Sequence, residues 1–200
     1  MKDKELYEVI LLDQALVEPL KKKDIFTTEK CKATSYGEPE KGEIKIYFKE
    51  VVFKEIENYA QKDTTVELGG VLLGEYFEEK EEKFIQIIDC IEAKHAQSNI
   101  TSITFTHQSW EEIYKELEKR EYQRIIGWYH THPNFDITLS DMDIFIQKNF
   151  FNLYYQVAYV VDPIKNKRGF FQIKDNKVIK FPGFYVYAPI KIGSIADKHR

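Results

Sequence analysis

The sequence predicts a domain of mixed helices and strands, of the α+β or irregular α/β class. Short apolar or alternating runs, which are typical of strands, are interspersed with amphipathic runs that are typical of helices. Their order shows no regular strand–helix–strand repeat, which favours this class. The length of 200 residues suits one domain with a short additional segment, and a chain of this size can bury a core without disulfides.

The individual elements follow from the spacing of apolar residues. Residues 44–48 alternate as in a strand, and apolar residues recur at helical spacing over residues 52–60. Ser109 and Glu112 fit a capping box at the start of a second helix. The other predicted elements are helices over residues 109–122 and 140–149 and strands over residues 66–74, 84–92, 100–106, 124–130, 155–162, 168–174 and 177–181.

Composition divides the chain into three segments. Residues 1–43 carry charge clusters and end in a turn-like stretch, so we interpret them as an N-terminal extension with one short strand or helix. Residues 44–181 form the main domain, and residues 182–200 form a C-terminal tail. The extension is interpreted as an edge decoration of the main domain, with a separate functional module as the alternative.

Charge and cysteine usage exclude several kinds of site. The net charge is −4 with acids and bases interspersed, whereas a nucleic-acid groove needs a concentrated basic face. Cys31 and Cys90 belong to no CxxC pair, which excludes a Cys-rich zinc knuckle and favours reduced thiols in a cytoplasmic protein. The apolar runs are too short for a signal peptide or a membrane span. Neither nucleic acid nor a membrane is therefore an expected partner.

The most informative stretch is the His-Thr-His-Pro sequence and the helix predicted after it. His130 and His132 are two residues apart on a strand, so both imidazoles point to the same side, as a pair of zinc ligands must. Pro133 ends the strand, and Ser140 can cap a helix whose first turn contains Asp143, a potential oxygen ligand. Three protein ligands with one open position are typical of catalytic zinc.

Each part of this pattern also has a purely structural interpretation. Two His residues at this spacing are often only neighbours on one face of a strand. Ser140 and Asp143 form a capping box, which stabilises the start of a helix by itself. The combination of all these residues in one short window favours a metal site, because packing alone does not require it.

This window resembles the JAMM motif of the JAB1/MPN/Mov34 metalloprotease family. The motif reads His-x-His-Pro-x6-Ser-x2-Asp, and the sequence matches it without a departure at His130, His132, Pro133, Ser140 and Asp143. The resemblance extends over about residues 44–181.

An acid upstream of the window completes the resemblance. Glu67 precedes a Gly-rich apolar run, where the family places its general base. The alternative for Glu67 is a buried acid paired with a basic neighbour. Glu75 is the other acid nearby, but it lies off the family position.

The resemblance implies an MPN/JAB-like fold, a curved and mostly antiparallel sheet flanked by helices. It further implies that His130, His132 and Asp143 bind Zn²⁺, with Glu67 as general base. Ser140 would stabilise the tetrahedral intermediate besides capping its helix. The implied activity is that of a zinc metallo-isopeptidase that cleaves after the C-terminus of a ubiquitin-like protein, in deconjugation or in precursor processing.

The implied partners are a ubiquitin-like protein and its conjugates. The short domain is similar to prokaryotic members of the family, so conjugation enzymes encoded nearby are candidate partners too. Trimming of a sulfur-carrier protein needs the same chemistry, and the residues do not separate it from deconjugation. A non-catalytic MPN scaffold is a third alternative, which loss of ligands would favour, but every ligand is present.

The remaining histidines are weaker candidates, and we interpret His95 and His107 as loop or packing residues and His199 as part of the tail. A second, structural zinc site is not expected, because His199 is the only Cys or His after Asp143. Residues 95–107 are expected to hold the substrate tail, bound as an added strand. The alternative is that residues 100–106 form a core strand without a free edge.

Overall fold

The computed structural model describes residues 31–79, 81–120 and 124–190. The α-helices of this part of the chain are α1 (Glu50–Ala60), α2 (His107–Leu117) and α3 (Asp141–Phe150). The strands are β1 (Cys31–Gly37), β2 (Lys45–Lys49), β3 (Gly69–Glu79), β4 (Glu82–Glu92), β5 (Gln97–Ser98), β6 (Ile103–Thr104), β7 (Arg124–Thr131), β8 (Val157–Asp162), β9 (Lys167–Lys174), β10 (Lys177–Lys180) and β11 (Gly183–Pro189).

A single large sheet organises the domain. Nine strands follow the order β1–β11–β2–β4–β3–β7–β8–β9–β10, and β5 and β6 form a separate hairpin. The pairs β11–β2, β2–β4 and β7–β8 are parallel, and the other five pairs are antiparallel. The sheet is strongly curled and flanked by the helices. The predicted fold class, a curved and mostly antiparallel sheet flanked by helices, is confirmed.

Apolar cores lie on both faces of the sheet. Helix α1 covers one face through Phe53 and Ile56, while α2 and α3 cover the other through Trp110 and Ile146. This arrangement follows from the period-two alternation of side chains along each strand.

Strand β7 determines where the functional residues lie. It pairs with β3 on one side and β8 on the other, and all of its residues are buried. Tyr129 belongs to the core on the α1 side, and Trp128 belongs to the core on the α2 and α3 side. By the same alternation, His130 faces the side that carries α3.

The strand predicted over residues 100–106 is wrong. Only Ile103–Thr104 is extended, and it pairs with Gln97–Ser98 in the small hairpin. Asn99 forms the turn, because its side chain accepts the Thr101 N–H at 2.9 Å and its N–H donates to the Ser102 carbonyl at 2.9 Å. Polar side chains that bond to nearby backbone compete with strand pairing in this way.

The capping box predicted for Ser109 and Glu112 is also wrong. Helix α2 begins three residues earlier, with Thr106 as the N-cap and Ser109 in its first turn. The Thr106 hydroxyl accepts the Ser109 N–H at 3.1 Å, and Glu112 pairs instead with His95 at 2.9 Å. A Thr three residues before a Ser can form the same kind of capping box, so the sequence contained two possible start positions for this helix.

The large sheet includes one strand from each predicted flanking segment. Strand β1 lies within residues 1–43 and pairs with β11, which lies within residues 182–200 and pairs in turn with β2. The boundaries at 44 and 181 stay a prediction, and residues 1–30 and 191–200 lie outside the described residues. None of the helices in the described ranges has the length and apolar character needed to cross a membrane.

We predict that Gly127→Ala destabilises the protein by about 1–3 kcal/mol, as overpacking does. A Cβ at Gly127 would lie 2.1 Å from the Val157 carbonyl oxygen, which the β7–β8 pairing holds in place. Urea unfolding measures the effect. Gly169→Ala is the control, since its Cβ would meet only side-chain ends at 3.3 Å. Equal stability of the two variants would contradict the prediction.

Candidate metal centre

The end of β7 brings two imidazoles together in a buried site. The Nε2 atoms of His130 and His132 lie 3.0 Å apart, and both residues are buried. The backbone around them is fixed from both sides. Thr131 donates its N–H to the Leu68 carbonyl at 2.8 Å, and His132 donates its N–H to the Val161 carbonyl at 2.8 Å.

Helix α3 presents the third group through the predicted capping box. Ser140 is the N-cap, and its hydroxyl accepts the Asp143 N–H at 3.2 Å. The N–H and the hydroxyl of Ser140 both donate to Asp143 Oδ2, each at 2.7 Å. The carboxylate still reaches the imidazoles, with Oδ1 3.3 Å from His130 Nε2 and Oδ2 3.3 Å from His132 Nε2. The capping and ligand interpretations of Asp143 are therefore compatible.

These three side chains, the metal triad (His130, His132 and Asp143), fit a zinc ion. Their donor atoms all lie within 4.8 Å of one another, with neighbours at 3.0 to 3.3 Å. Zinc bonds of about 2.0–2.2 Å in a tetrahedron place the ligand atoms about 3.3–3.6 Å apart. Three protein ligands leave one position open, as catalytic zinc requires. The fit rests on donor type, spacing and burial together.

Burial and mutual contact change the protonation of the triad. Burial disfavours the charged form of His130 and lowers its pKa. Burial acts in the same direction on His132, but hydrogen bonding to Asp143 and the charge of Glu67 raise its pKa overall. Burial opposes ionisation of Asp143, yet the two imidazoles and the Ser140 hydroxyl hold its pKa well below the usual range.

Glu67 reaches the same site from the segment before β3. Its Oε1 lies 3.6 Å from His132 Nε2, and its Oε2 is buried without a hydrogen-bond partner among the described residues. Burial raises the pKa of Glu67 to about 8, Asp143 adds to this effect and His132 opposes it. Glu67 is therefore a buried acid beside the metal triad, and among the described residues the basic group that it contacts is His132.

The backbone around Glu67 is held from two sides. Its N–H donates to the Asn99 carbonyl at 2.9 Å, which ties it to the turn of the β5–β6 hairpin. The next residue, Leu68, donates its N–H to the Thr131 hydroxyl at 2.8 Å. Thr131 is not among the site residues predicted from the sequence, although its place between the two histidines was a usable signal.

The other predicted residues lie elsewhere. Glu75 forms an ion pair with Arg124 at 3.2 Å, at the opposite end of β7 from His130. His95 pairs with Glu112, and His107 lies 3.4 Å from Glu111 on the surface of α2. His199 lies outside the described residues, and Cys90 is a buried free thiol.

A second missed residue, Asp162, fixes the loop after the histidines. Its buried Oδ1 accepts the N–H groups of Asn134, Ile164 and Lys165 at 3.0 to 3.1 Å. Asn134 adopts a positive φ of 63°, which turns the chain so that the Asp136 carbonyl meets His132 Nδ1 at 3.2 Å. A hydrogen bond at the second ring nitrogen fixes how a metal-binding imidazole is oriented. An Asp directly before Pro163, at the end of a strand, was the available signal.

The fold and the site together define a JAB/MPN-type domain with a cluster that could hold a metal ion at the end of a central strand. The sequence matches the family described as JAB1/Mov34/MPN/PAD-1 ubiquitin protease over residues 43–154. This match covers more than half of the chain, and the chain belongs to that family.

Relatives share the sequence over part of their length. The 26S proteasome regulatory subunit RPN11 of Encephalitozoon cuniculi is 31% identical over 106 residues, covering 52% of this chain and 35% of the relative. COP9 signalosome complex subunit 5 of Candida glabrata is 35% identical over 121 residues, covering 54% of this chain and 24% of the relative. Ubiquitin carboxyl-terminal hydrolase RPN11 of Saccharomyces cerevisiae is 25% identical over 127 residues, covering 62% of this chain and 40% of the relative. The chain thus spans less than half the length of these relatives.

A solved structure has the same fold. The solution structure of protein DSY2949 from Desulfitobacterium hafniense superposes with a TM-score of 0.53 at 16% identity, covering 68% of this chain and 88% of that one. At this identity the likeness shows the fold alone.

We predict about one tightly bound zinc per chain, lost in a His130→Ala, His132→Ala double variant because two of its three ligands are removed. Elemental analysis of the purified protein after dialysis measures the occupancy. A His95→Ala, His107→Ala double variant is the control, since both residues pair with acids on α2 instead. Full zinc occupancy in the first variant would refute the assignment of the metal triad.

Proposed function

We propose that the protein is a zinc-dependent metallo-isopeptidase or peptidase that cleaves after the C-terminus of a ubiquitin-like protein. The observation that carries the proposal is the joint placement of Glu67 and the metal triad in one buried site, with one Glu67 oxygen unpartnered. The family, whose description includes ubiquitin protease, supports the substrate class. Deconjugation and precursor processing both fall within this activity.

In this proposal each residue has a separate task. The metal triad would hold zinc, which would supply Lewis acidity and make the attacking water more acidic. Glu67 accepts the proton of the attacking water and passes it to the leaving amine. Ser140 orients the Asp143 carboxylate through its N–H and its hydroxyl. The hydroxyl has one proton, so it would turn from Asp143 to donate to the developing oxyanion, while the N–H bond to Asp143 remains.

The β5–β6 hairpin supports binding of an extended tail. It contains only two strands, so within the described residues each of its strands has a free edge, unlike a core strand. The Asn99 carbonyl in its turn accepts the Glu67 N–H, which places the hairpin directly beside the proposed base. A tail that pairs along such an edge is held in register by backbone hydrogen bonds. We propose this hairpin as the wall of the substrate groove.

The proposal also covers the location, the partners and the alternative functions of the protein. We propose a cytoplasmic location, a prokaryotic type of conjugation system and partner enzymes encoded nearby. Trimming of a sulfur-carrier protein is the alternative substrate choice, and a cleavage panel of ubiquitin-like and sulfur-carrier fusions tests it. A non-catalytic scaffold is the alternative class. The complete set of Glu67, Ser140 and the metal triad argues against it.

We predict that Glu67→Gln retains zinc and fold but lowers the rate of hydrolysis by about 10²–10⁴-fold. Glutamine has nearly the same shape but does not accept the proton at neutral pH. Cleavage of a ubiquitin-like fusion and zinc content are measured together. Glu75→Gln is the matched control, because it changes a half-buried acid on β3, which pairs with Arg124 far from the triad. A Glu67→Gln variant with most of its activity would rule out Glu67 as the base.

We predict that the tail of the substrate binds by strand addition. Replacing its last residues one at a time with Pro removes one backbone donor each time. Cleavage is expected to fall sharply at alternate positions, because only alternate residues of an added strand bond to the edge. Cleavage rates across this series of fusions are the measurement. A uniform rate along the series would contradict strand addition.

A further inference from the structure

A buried hydrogen-bond network connects α3 with β7 behind the metal triad. The Trp128 indole N–H donates to Gln147 Oε1 at 2.7 Å, and both side chains are buried. Gln147 Nε2 donates to the Phe151 carbonyl at 2.7 Å and to the Gln156 carbonyl at 3.2 Å. The carboxamide of Gln147 therefore uses both its acceptor and its donors inside an apolar core.

A second amide extends the network to β7. Gln156 is fully buried, and its Nε2 donates to the Ile125 carbonyl at 3.0 Å while its Oε1 accepts the Leu153 N–H at 3.1 Å. The segment after α3 is thus joined to the same strand that carries the histidines. Satisfied polar networks in a core fix one arrangement of the elements they join, whereas apolar contacts allow small sliding.

The network joins the same two elements as the metal triad. Gln147 lies one helical turn after Asp143, on the same face of α3. Trp128 lies two residues before His130 on the same face of β7, and the two rings stack with centroids 4.4 Å apart at 14°. The hydrogen bond between Trp128 and Gln147 therefore sets how far α3 stands from β7 next to the ligands.

We propose that Gln147 and Trp128 are a positioning pair that sets the separation of Asp143 from His130 and thereby the zinc affinity. Neither side chain is a ligand. Both act through the elements that carry ligands, so this inference rests on the metal-dependent function proposed above. A displacement of α3 by a fraction of an ångström would move the Asp143 oxygens away from the 3.3 Å spacing that suits zinc.

Two variants test the positioning pair, and each changes one of its two residues. Gln147→Leu removes all the hydrogen bonds of the carboxamide at similar volume. Trp128→Phe keeps an aromatic ring over His130 and removes the indole donor together with part of the ring volume, so it decides the test if Gln147→Leu does not fold. Zinc affinity is measured by competition with a chelator of known affinity, and the absorption spectrum of the Co²⁺-substituted protein reports the ligand geometry.

Each single variant is expected to bind zinc about 10–100-fold more weakly, as loss of an orienting partner does. The double variant is expected to lose much less than the product of the two single losses, because both remove one interaction. The Co²⁺ spectrum should shift in each. If the wild-type protein binds zinc and both single variants keep its zinc affinity and its Co²⁺ spectrum, the inference is overturned. Wild-type protein that binds no zinc would instead overturn the proposed function.

Gln86→Leu is the matched control for a general loss of stability. Gln86 is also buried, and its amide donates to the Tyr187 hydroxyl at 2.6 Å in a different cluster of the core. We expect a lower unfolding temperature with wild-type zinc affinity and Co²⁺ spectrum. An equal loss of zinc affinity in Gln86→Leu and Gln147→Leu would show that the effect is general, and would overturn the positioning role.

Discussion

The mutual approach of the donor atoms of the metal triad is the contact on which the rest of the site depends. Removing two imidazoles and a carboxylate from water is costly unless they are paired with one another or with a cation. The backbone supplies the necessary rigidity. Thr131 and His132 donate to carbonyls on both neighbouring segments, at Leu68 and Val161. The sheet thus provides a fixed frame, and α3 brings the carboxylate to it.

The parts of the site that depend on local geometry could be predicted from the sequence. The two-residue spacing of His130 and His132 and the capping box of Ser140 and Asp143 each follow from a few consecutive residues. Glu67 is different, because pairing of Gly69 with His130 across β3 and β7 brings it to the site. Such a register between distant strands cannot be calculated from spacing, and only the family resemblance pointed to this acid.

The same limit explains where the predicted fold was incomplete. Strand β11 pairs in parallel with β2, and its partners lie more than a hundred residues away in sequence, so no local pattern distinguished it from a tail. The failed strand over residues 100–106 has the opposite cause. Its polar residues form hydrogen bonds with Asn99 close by in the sequence, and these bonds outweighed the alternation of apolar residues.

The two acids of this region, Glu67 and Glu75, show how the fold separates a structural charge from a functional one. Burial raises the pKa of both, but Arg124 lies 3.2 Å from Glu75 and opposes the shift. Glu75 therefore has a permanent cation beside it within the protein. At the other end of the same strands, the basic groups that contact Glu67 and Asp143 among the described residues are imidazoles. Two ionised carboxylates there would carry a charge of −2, which a divalent cation balances and a neutral imidazole does not. The same strand pair therefore places one acid beside an arginine and the other at a site whose charge a metal ion would balance.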